Sequence, residues 1–149
     1  MAGLQLKIVT PERVVYEGEA DSVSAMTDFG EVTVLPGHLP LVASMRAGEL
    51  RVRVGGQEEL MVASTGFLEV KGGNEIVILA DTAEHVEELE LEKIAAAKEA
   101  ARRMLEEKRN VEDVHFADAA AGLERELARE RVALKKYRNI PNRPGETQA

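Results

Sequence analysis

The chain of 149 residues has no cysteine and no tryptophan, and aromatic residues make up only 3% of it. Without cysteine, neither disulfide bonds nor thiolate metal ligands can hold the fold together. No apolar run approaches the roughly 20 residues that a membrane-spanning helix needs. The first residues lead directly into an alternating strand pattern, which predicts no signal or transit peptide. We therefore expect a soluble protein with one ordinary core, or one small domain with an appendage.

Basic residues are also in the minority, with 19 Lys and Arg against 27 Asp and Glu and a formal net charge of −8. A nucleic-acid-binding domain normally has a basic excess or a clustered basic face. This charge balance argues against nucleic acid as a partner, and it is typical of an ordinary soluble protein.

The sequence lacks the motifs of common catalytic sites. It contains neither a Gly-x-Ser-x-Gly elbow nor a Gly-rich phosphate loop that leads into Lys-Ser/Thr. Its three histidines, His38, His85 and His115, are not at metal-ligand spacings. Glutamates crowd the segment 84–92 at the start of a predicted helix, where they favour the positive end of the helix dipole. We therefore expect no catalytic site and no metal site.

Residues 4 to 80 have the pattern of half-buried strands. Leu50, Val52 and Val54, for example, alternate with polar residues. The pairs Gly55-Gly56 and Gly72-Gly73 are predicted to supply the positive φ angles of tight hairpins. Many short strands without an intervening helix predict a β-sandwich or barrel.

After Asp81 the composition changes to good helix formers, with no Gly or Pro from Thr82 through Ala121. Apolar residues at helical spacing form two stripes. Between them, Asn110 is predicted to end one helix and Asp113 to cap the next, which gives an αα-hairpin. The stripes are rich in alanine and bury little area, so the hairpin is predicted to open. The first stripe contains Leu91, Ile94, Ala97, Ala101 and Leu105, and the second contains Phe116, Ala120, Leu123, Leu127 and Leu134.

Three segments in this order resemble those of a known family. They are Gly30–Leu41 (GEVTVLPGHLPL), Gly66–Val70 (GFLEV) and Ile78–Ala83 (ILADTA). Together with the β-then-α layout, they make the chain similar to the epsilon subunit of bacterial F-type ATP synthases up to about Tyr137. The resemblance implies an α+β fold in which a flattened N-terminal β-sandwich of about ten strands precedes a C-terminal antiparallel αα-hairpin.

The domain organisation that follows has three parts. We expect a rotor-docking sandwich at 1–83, a regulatory helical hairpin at 84–138 and a disordered tail at 139–149. The tail contains two Pro and one Gly and has little to bury.

The resemblance also implies the function of a non-catalytic central-stalk subunit. Such a subunit couples gamma and the c-ring in proton-driven ATP synthesis, and it inhibits ATP hydrolysis through mobile C-terminal helices. The implied partners are the gamma subunit, the c-ring and the beta subunits. The implied location is the cytoplasmic side of the bacterial plasma membrane, with membrane attachment only through the complex.

Glu31 and His38 are the predicted rotor contacts. In the family, the loop that carries Glu31 lies at the bottom of the sandwich against polar loops of the c-ring, and the neighbouring sandwich surface packs on gamma. The nearby Val32, Val34 and Leu35 either form an exposed apolar patch for this docking or belong to the core of one strand. Without the resemblance, His38 is a surface residue that fits a rigid turn.

The outer half of the second predicted helix is net basic inside an acidic chain. Such mixtures of charge are usually solvated helix faces. The resemblance instead implies that these side chains meet an acidic segment of the beta subunits and restrain rotation in the hydrolysis direction. The predicted inhibitory contacts are Arg125, Arg129, Arg131, Lys135 and Lys136.

A nucleotide-binding sensor is the alternative function. Some bacterial members of the family hold ATP between sandwich and hairpin through an Ile/Leu-Asp-x-x-Arg-Ala motif and two arginines of the last helix. The aligned segment here has Glu90 for Asp, Lys93 for Arg and Ile94 for Ala, and lysine lacks the forked donor of arginine. We therefore predict weak or no ATP binding and no cofactor. The candidate ATP-binding residues are Glu84, Leu89, Glu90, Lys93, Arg125 and Arg129.

Overall fold

The computed structural model describes residues 3–107 and 114–138, which form a β-sandwich followed by two helices. A short 3-10 helix at Val86–Glu88 precedes the α-helices, which are α1 (Leu91–Glu107) and α2 (Val114–Arg138). The strands are β1 (Leu4–Val9), β2 (Val14–Ala20), β3 (Ser22–Thr27), β4 (Gly30–Val34), β5 (Leu41–Val54), β6 (Gln57–Ala63), β7 (Gly66–Lys71), β8 (Glu75–Ala80) and β9 (Ala83–His85). The predicted α+β layout is confirmed, with nine strands in the described residues instead of about ten.

Strand β5 connects the two layers of the sandwich. Its first part, from Leu41 to Met45, pairs with β7, and its second part, from Gly48 to Val54, pairs with β3 and β6. The first layer therefore has the order β2-β1-β8-β7-β5, and the second consists of β4, β3, β5, β6 and β9. Gly48 lies where β5 passes from one layer to the other, and a Cβ there would come within 2.9 Å of Met26 Cγ.

The core between the layers is made by the inward-facing residues that alternate along the strands. Leu4, Leu6 and Ile8 on β1 are buried, and Gln5 and Lys7 between them are exposed. Leu68 and Ile78 are register partners on β7 and β8 and are fully buried. The period-2 pattern of the sequence thus gives one continuous core of eighteen buried residues.

Turn chemistry agrees with the sequence at one Gly-Gly pair and differs at the other. Both Gly55 and Gly56 have positive φ, as a two-residue hairpin turn requires. In the β7–β8 turn, positive φ occurs at Gly73 and Asn74, and Gly72 is not among the positive-φ residues. Asparagine tolerates the left-handed region because its side chain hydrogen-bonds locally.

The two α-helices form an antiparallel hairpin. Lys98 on α1 pairs with Glu130 on α2, and Met104, nearer the end of α1, shares a groove with Asp118 and Ala119 near the start of α2. The predicted helix end at Asn110, the predicted cap at Asp113 and the tail at 139–149 lie outside the described residues.

A second, smaller cluster joins the hairpin to the outer surface of the second layer. It is separate from the sandwich core. Its members come from β6, from the 3-10 segment and from both helices, so the hairpin packs on the sandwich as well as on itself. The buried residues are Val62, Val86, Leu89, Ile94, Ala128, Val132 and Ala133.

The predicted α1 stripe is confirmed, because its five residues are the buried or half-buried ones on their face. The predicted α2 stripe is wrong in part. Leu134 is 45% exposed, and the side chain of Phe116 lies outside the described part of the chain. The stripe shifts because α2 packs on both α1 and the sandwich, so one 3.6-residue stripe does not describe its contacts. The residues that α2 buries most are Ala119, Glu126, Ala128, Val132 and Ala133.

The glutamate-rich segment is also arranged differently from the prediction. Helix α1 begins at Leu91, and only Glu92 is acidic in its first turn. Glu84 lies in β9, which pairs with β6. This strand spans the expected domain boundary between residues 83 and 84. Glu88 lies in the 3-10 helix and accepts a hydrogen bond from the backbone N–H of His85.

Candidate functional site

An apolar surface covers the outer side of the first layer. Phe67 on β7 and Leu79 on β8 are register partners and are 56% and 51% exposed. Val9 continues the row beside Leu79, and Val42 on β5 faces the same side and is 70% exposed. Because inward neighbours such as Leu68 are buried, β7 and β8 are apolar on both faces at their Phe67 and Leu79 ends, whereas Glu69 and Lys71 are exposed further along β7. Such strands are typical of a sheet that is covered on both sides, and we call Val9, Val42, Phe67 and Leu79 the apolar face.

A groove of about 680 Å³ adjoins the apolar face and contains two carboxylates. Phe67 and Leu79 line it together with Asp28 from the β3–β4 turn and Asp81 from the end of β8. The backbone N–H of Asp28 donates to the carbonyl of Ser44 at 3.1 Å, which fixes the turn against β5. Asp28 also pairs with Arg46 at 3.4 Å, whereas Asp81 has no ion-pair partner among the described residues. An apolar groove with an available carboxylate such as Asp81 is complementary to an apolar protein segment that carries a basic side chain.

The two predicted rotor contacts lie at the start of strand β4 and in the loop after its end. Glu31 is exposed near its start and forms an ion pair with Arg51 of β5. His38 is half-buried in the loop after its end, with Nδ1 2.6 Å from the carbonyl oxygen of Leu39. Asn74 anchors this loop by accepting a hydrogen bond from the Gly37 N–H at 2.7 Å. Within the described residues, no hydrogen bond or ion pair joins Glu31 to His38.

The apolar residues beside Glu31 do not behave as one patch. Val34 is fully buried and belongs to the core, and Val32 is half-buried against it. Leu35 is 56% exposed, as an exposed docking residue requires. Val34 is therefore a core residue of its strand, and Leu35 stays a predicted docking residue.

Most of the basic residues predicted to meet the beta subunits are engaged inside the chain. Arg129 contacts Glu84 and Glu126, Arg125 lies 3.6 Å from Glu126, and Lys135 pairs with Glu49 on β5. Arg131 is exposed and Lys136 is half-buried, and neither has an ion-pair partner among the described residues. An inhibitory contact through Arg129 or Lys135 thus requires that α2 first leave the sandwich.

The environment of Arg129 is the most buried polar cluster of the hairpin. Its Nη1 donates to both carboxylate oxygens of Glu126 at 3.0 Å, and its Nη2 donates to Glu84 at 2.9 Å. Glu126 is only 4% exposed, and its basic partners are Arg129 and, at 3.6 Å, Arg125. A buried glutamate in a helix is not visible as a signal in the sequence, where Glu126 looks like one more solvated charge.

The structure brings together only some of the candidate ATP-binding residues. Glu84, Arg125 and Arg129 meet around Glu126. Leu89 is buried in the cluster beneath the hairpin. Glu90 and Lys93 are exposed and pair with each other at 3.1 Å.

Glu88 makes two contacts where the sandwich meets the hairpin. The pKa of Glu88 is lowered, first because its carboxylate accepts the backbone N–H of His85 and then because Arg13 of the loop before β2 pairs with it at 3.1 Å. These contacts hold the junction between sandwich and hairpin. Sequence reasoning attached no role to Arg13, and it gave Glu88 only the helix-dipole role shared by the glutamates of segment 84–92.

The described part of the chain contains neither a metal-type cluster nor a candidate membrane span. No three His, Cys, Asp or Glu side chains in that part of the chain are grouped as a metal site would require. None of the described helices combines the length and the apolar character needed to cross a membrane.

The apolar face was missed by the sequence analysis, although a signal for it exists. Apolar residues occur on both phases of β7 and β8, where Phe67 and Leu68 are neighbours, as are Ile78 and Leu79. A half-buried strand alternates apolar with polar residues, so consecutive apolar residues indicate a second covered face.

The comparison with known proteins agrees with this architecture. Residues 3–86 match the family described as ATP synthase, Delta/Epsilon chain, beta-sandwich domain. The ATP synthase epsilon chain of Desulforamulus reducens is 45% identical over 116 residues, which are 78% of this chain and 87% of the relative. Those of Moorella thermoacetica and Dehalococcoides mccartyi strain BAV1 are 45% and 40% identical, cover 89% and 93% of this chain, and are each covered over 98% of their own length.

Two solved structures share the fold. One is a chain of the Euglena gracilis mitochondrial ATP synthase, from a structure of OSCP, F1 and c-ring, with a TM-score of 0.72 and 24% identity over 93% of this chain and 83% of that chain. The other comes from the central stalk and c-ring of the Tetrahymena thermophila mitochondrial ATP synthase, with a TM-score of 0.54, 14% identity and coverage of 91% and 98%.

The described residues form a β-sandwich with an exposed apolar patch on its outer surface, followed by a helical hairpin. The sequence matches identify which module this is. The chain belongs to the ATP synthase epsilon chain family. The resemblance of its three sequence segments to that family is thereby confirmed.

Proposed function

We propose that the chain is a non-catalytic central-stalk subunit that docks on the gamma subunit and the c-ring and restrains ATP hydrolysis through its hairpin. The observation that carries the docking part is the apolar face, in which Val42, Phe67 and Leu79 are each at least half exposed. Apolar side chains aligned across neighbouring strands are the usual centre of a protein interface. The acidic groove beside them adds electrostatic complementarity to a basic partner segment.

The related structures support the same partners. The Euglena structure is of an assembly with F1 and the c-ring, and the Tetrahymena structure is of a central stalk with its c-ring. As a member of this family, the chain takes the corresponding place in its own complex. It would then be peripheral to the bacterial plasma membrane on the cytoplasmic side, attached through that complex.

The regulatory part of the proposal depends on a hairpin that can leave the sandwich. Three small or medium residues, Ala128, Val132 and Ala133, are the buried apolar contribution of α2 to the joint cluster. At about 25 cal/mol per Å², side chains of this size provide only a few kcal/mol. The remaining attachment is ionic and partly exposed, through Arg129 and Lys135. Released helices would present these cations to the acidic segment of the beta subunits.

Gamma binding tests the docking face with a matched pair of variants. Leu79→Glu places a charge at the centre of the apolar face, and Leu134→Glu places one on α2 at a similar exposure of 45%. We expect Leu79→Glu to weaken the affinity for purified gamma at least about tenfold, because a buried unpaired charge is costly. Leu134→Glu should bind gamma normally. Equal affinities of both variants, with both proteins folded by circular dichroism, would refute the proposed docking surface.

A further inference from the structure

A chain of four alternating charges connects strand β4 to helix α2. Glu31 on β4 pairs with Arg51 on β5, and the Nε of Arg51 lies 3.3 Å from Oε1 of Glu49. The other carboxylate oxygen of Glu49 is paired with Lys135 on α2. An unbroken series of ion pairs therefore links the exposed start of β4 to the hairpin, in the order Glu31, Arg51, Glu49 and Lys135.

Burial increases towards the middle of this chain of charges. The side chains of Glu31 and Lys135 at its ends are 47% and 46% exposed, while those of Arg51 and Glu49 in the middle are 31% and 17% exposed. Water screens the outer groups, and the inner ones respond more strongly to each other's charge. We therefore expect a change of charge at Glu31 to affect the Lys135 contact through Arg51 and Glu49.

The surroundings are already rich in positive charge. All four residues line one cleft between the second layer and α2, and Arg46 and Arg131 line it as well. Arg46 lies 3.4 Å from Asp28, whereas Arg131 has no ion-pair partner among the described residues. The four linked charges sum to zero, so loss of the negative charge at Glu31 leaves a net positive group of residues directly beneath a basic stretch of α2.

We propose that Glu31 controls the attachment of α2. When a cationic side chain of a docked partner binds Glu31, Arg51 loses Glu31 as a partner and interacts with Glu49 alone. There it competes with Lys135 for the carboxylate. The Lys135 contact weakens, and release of α2 from the sandwich becomes more favourable. Occupation of Glu31 and attachment of the hairpin thus oppose each other, and by thermodynamic linkage the opposition is reciprocal.

The inference rests on the proposed function only where it takes the rotor as the source of the cation. The coupling between Glu31 and α2 is a property of the isolated chain. It can therefore fail while gamma binding stands, and gamma binding can fail while the coupling stands.

Thiol labelling measures the coupling directly, since the chain has no cysteine of its own. Ala133 lies on the face of α2 that packs on the sandwich and is 1% exposed. A single cysteine in its place reacts only when α2 leaves the sandwich. Glu31→Gln should raise the labelling rate about two- to fivefold, the range expected for loss of one partly exposed ion pair. Lys135→Gln should raise it by a similar factor. The double variant should be no faster than the faster single variant, because both changes break one path.

Glu58→Gln is the matched control. Glu58 is a glutamate of the same layer, 40% exposed and paired with Arg53 at 3.2 Å, and neither residue forms an ion pair with the described residues of α2. Its labelling rate should equal that of the parent. Purified c-ring should accelerate labelling of the parent and not of Glu31→Gln.

Three results would overturn the proposal. They are an unchanged or slower rate in Glu31→Gln, an equal acceleration in Glu58→Gln, or full additivity of Glu31→Gln with Lys135→Gln. Hydrogen exchange of the α2 amides in the cysteine-free variants gives the same comparison if the cysteine at position 133 disturbs packing, and it must show the same order of rates.

Discussion

Arg129 on α2 and Glu84 on β9 join the hairpin to the edge of the sandwich through two close contacts. The Nη2 of Arg129 donates to Oε1 of Glu84 at 2.9 Å, and its Nε lies 2.8 Å from Oε2 without the alignment of a hydrogen bond. The same guanidinium neutralises Glu126, which is almost completely buried. One side chain thus joins the helix to the sheet and stabilises a buried charge.

We expect Arg129→Gln to loosen α2 substantially. Removing Arg129 leaves the buried Glu126 with only the longer contact to Arg125 at 3.6 Å. Loss of one partner costs about 3–5 kcal/mol in fully buried pairs, and we expect less here because Arg125 remains. Hydrogen exchange of the α2 amides would measure the effect. Arg103→Gln, which affects an exposed pair with Glu99 on α1, should change exchange hardly at all. Equal protection in the two variants would show that the Arg129 cluster contributes nothing to docking.

ATP should bind weakly or not at all to the isolated chain. Phosphate groups at Arg129 would have to displace Glu84 and Glu126, and the substitutions at Glu90, Lys93 and Ile94 remove a forked donor and add bulk. Restoring the motif with Glu90→Asp, Lys93→Arg and Ile94→Ala should tighten binding by about ten- to a hundredfold. Calorimetric titration decides the matter, and a low-micromolar dissociation constant for the unchanged chain would contradict the prediction.

Gly66 is predicted to be indispensable for the sandwich. A Cβ at this position would lie 1.9 Å from the carbonyl oxygen of Leu79 on the neighbouring strand, and the backbone cannot yield there without breaking the β7–β8 ladder. We expect Gly66→Ala to destabilise the fold by at least the roughly 1–3 kcal/mol that overpacking typically produces. Gly72→Ala, where nothing lies within 4 Å, should be close to neutral in urea unfolding. A mild effect at Gly66 would mean that β7 and β8 can move apart.

The sequence was sufficient for the fold because each half carries its own strong period. Alternation from Leu4 to Ala80 and the alanine-rich composition after Asp81 correctly predicted the strands and the helices. The orientation of α2 about its own axis could not be predicted in the same way, because α2 packs on both α1 and the sandwich. These contacts bury the charged Glu126 and leave the apolar Leu134 exposed. Pairing of Arg129 with Glu84 spans 45 residues, and no local pattern encodes such a contact.

Glu88 should make the stability of the junction depend on pH. Its pKa is lowered in the folded chain, so its contribution is fully present above the unfolded-state value of about 4.3 and is lost as the pH falls through the lower folded-state value. Glu88→Gln should therefore unfold more easily than the parent at pH 7, and the difference should shrink below about pH 4. Because Glu88 is 42% exposed, we expect an effect below about 1 kcal/mol.

The neighbouring Glu87 provides the control for this titration. It is exposed and has no ion-pair partner among the described residues. Thermal unfolding of Glu87→Gln should follow the parent at every pH. A difference between parent and Glu88→Gln that persists unchanged at pH 3 would show that the carboxylate charge is not responsible.

A chain cut after Glu88 should remain a folded sandwich that binds gamma and no longer restrains ATP hydrolysis. The core of the sandwich is separate from the cluster beneath the hairpin, and the cut keeps β9 and its pairing with β6. A cut after Thr82 removes β9 and leaves the β6 edge unpaired, so it should melt at a lower temperature. ATPase rates of the reconstituted complex, with the full chain and with the chain cut after Glu88, test the regulatory role. The rate should rise with the shortened chain because it lacks every basic residue proposed to meet the beta subunits, and equal rates would exclude the hairpin as the inhibitor.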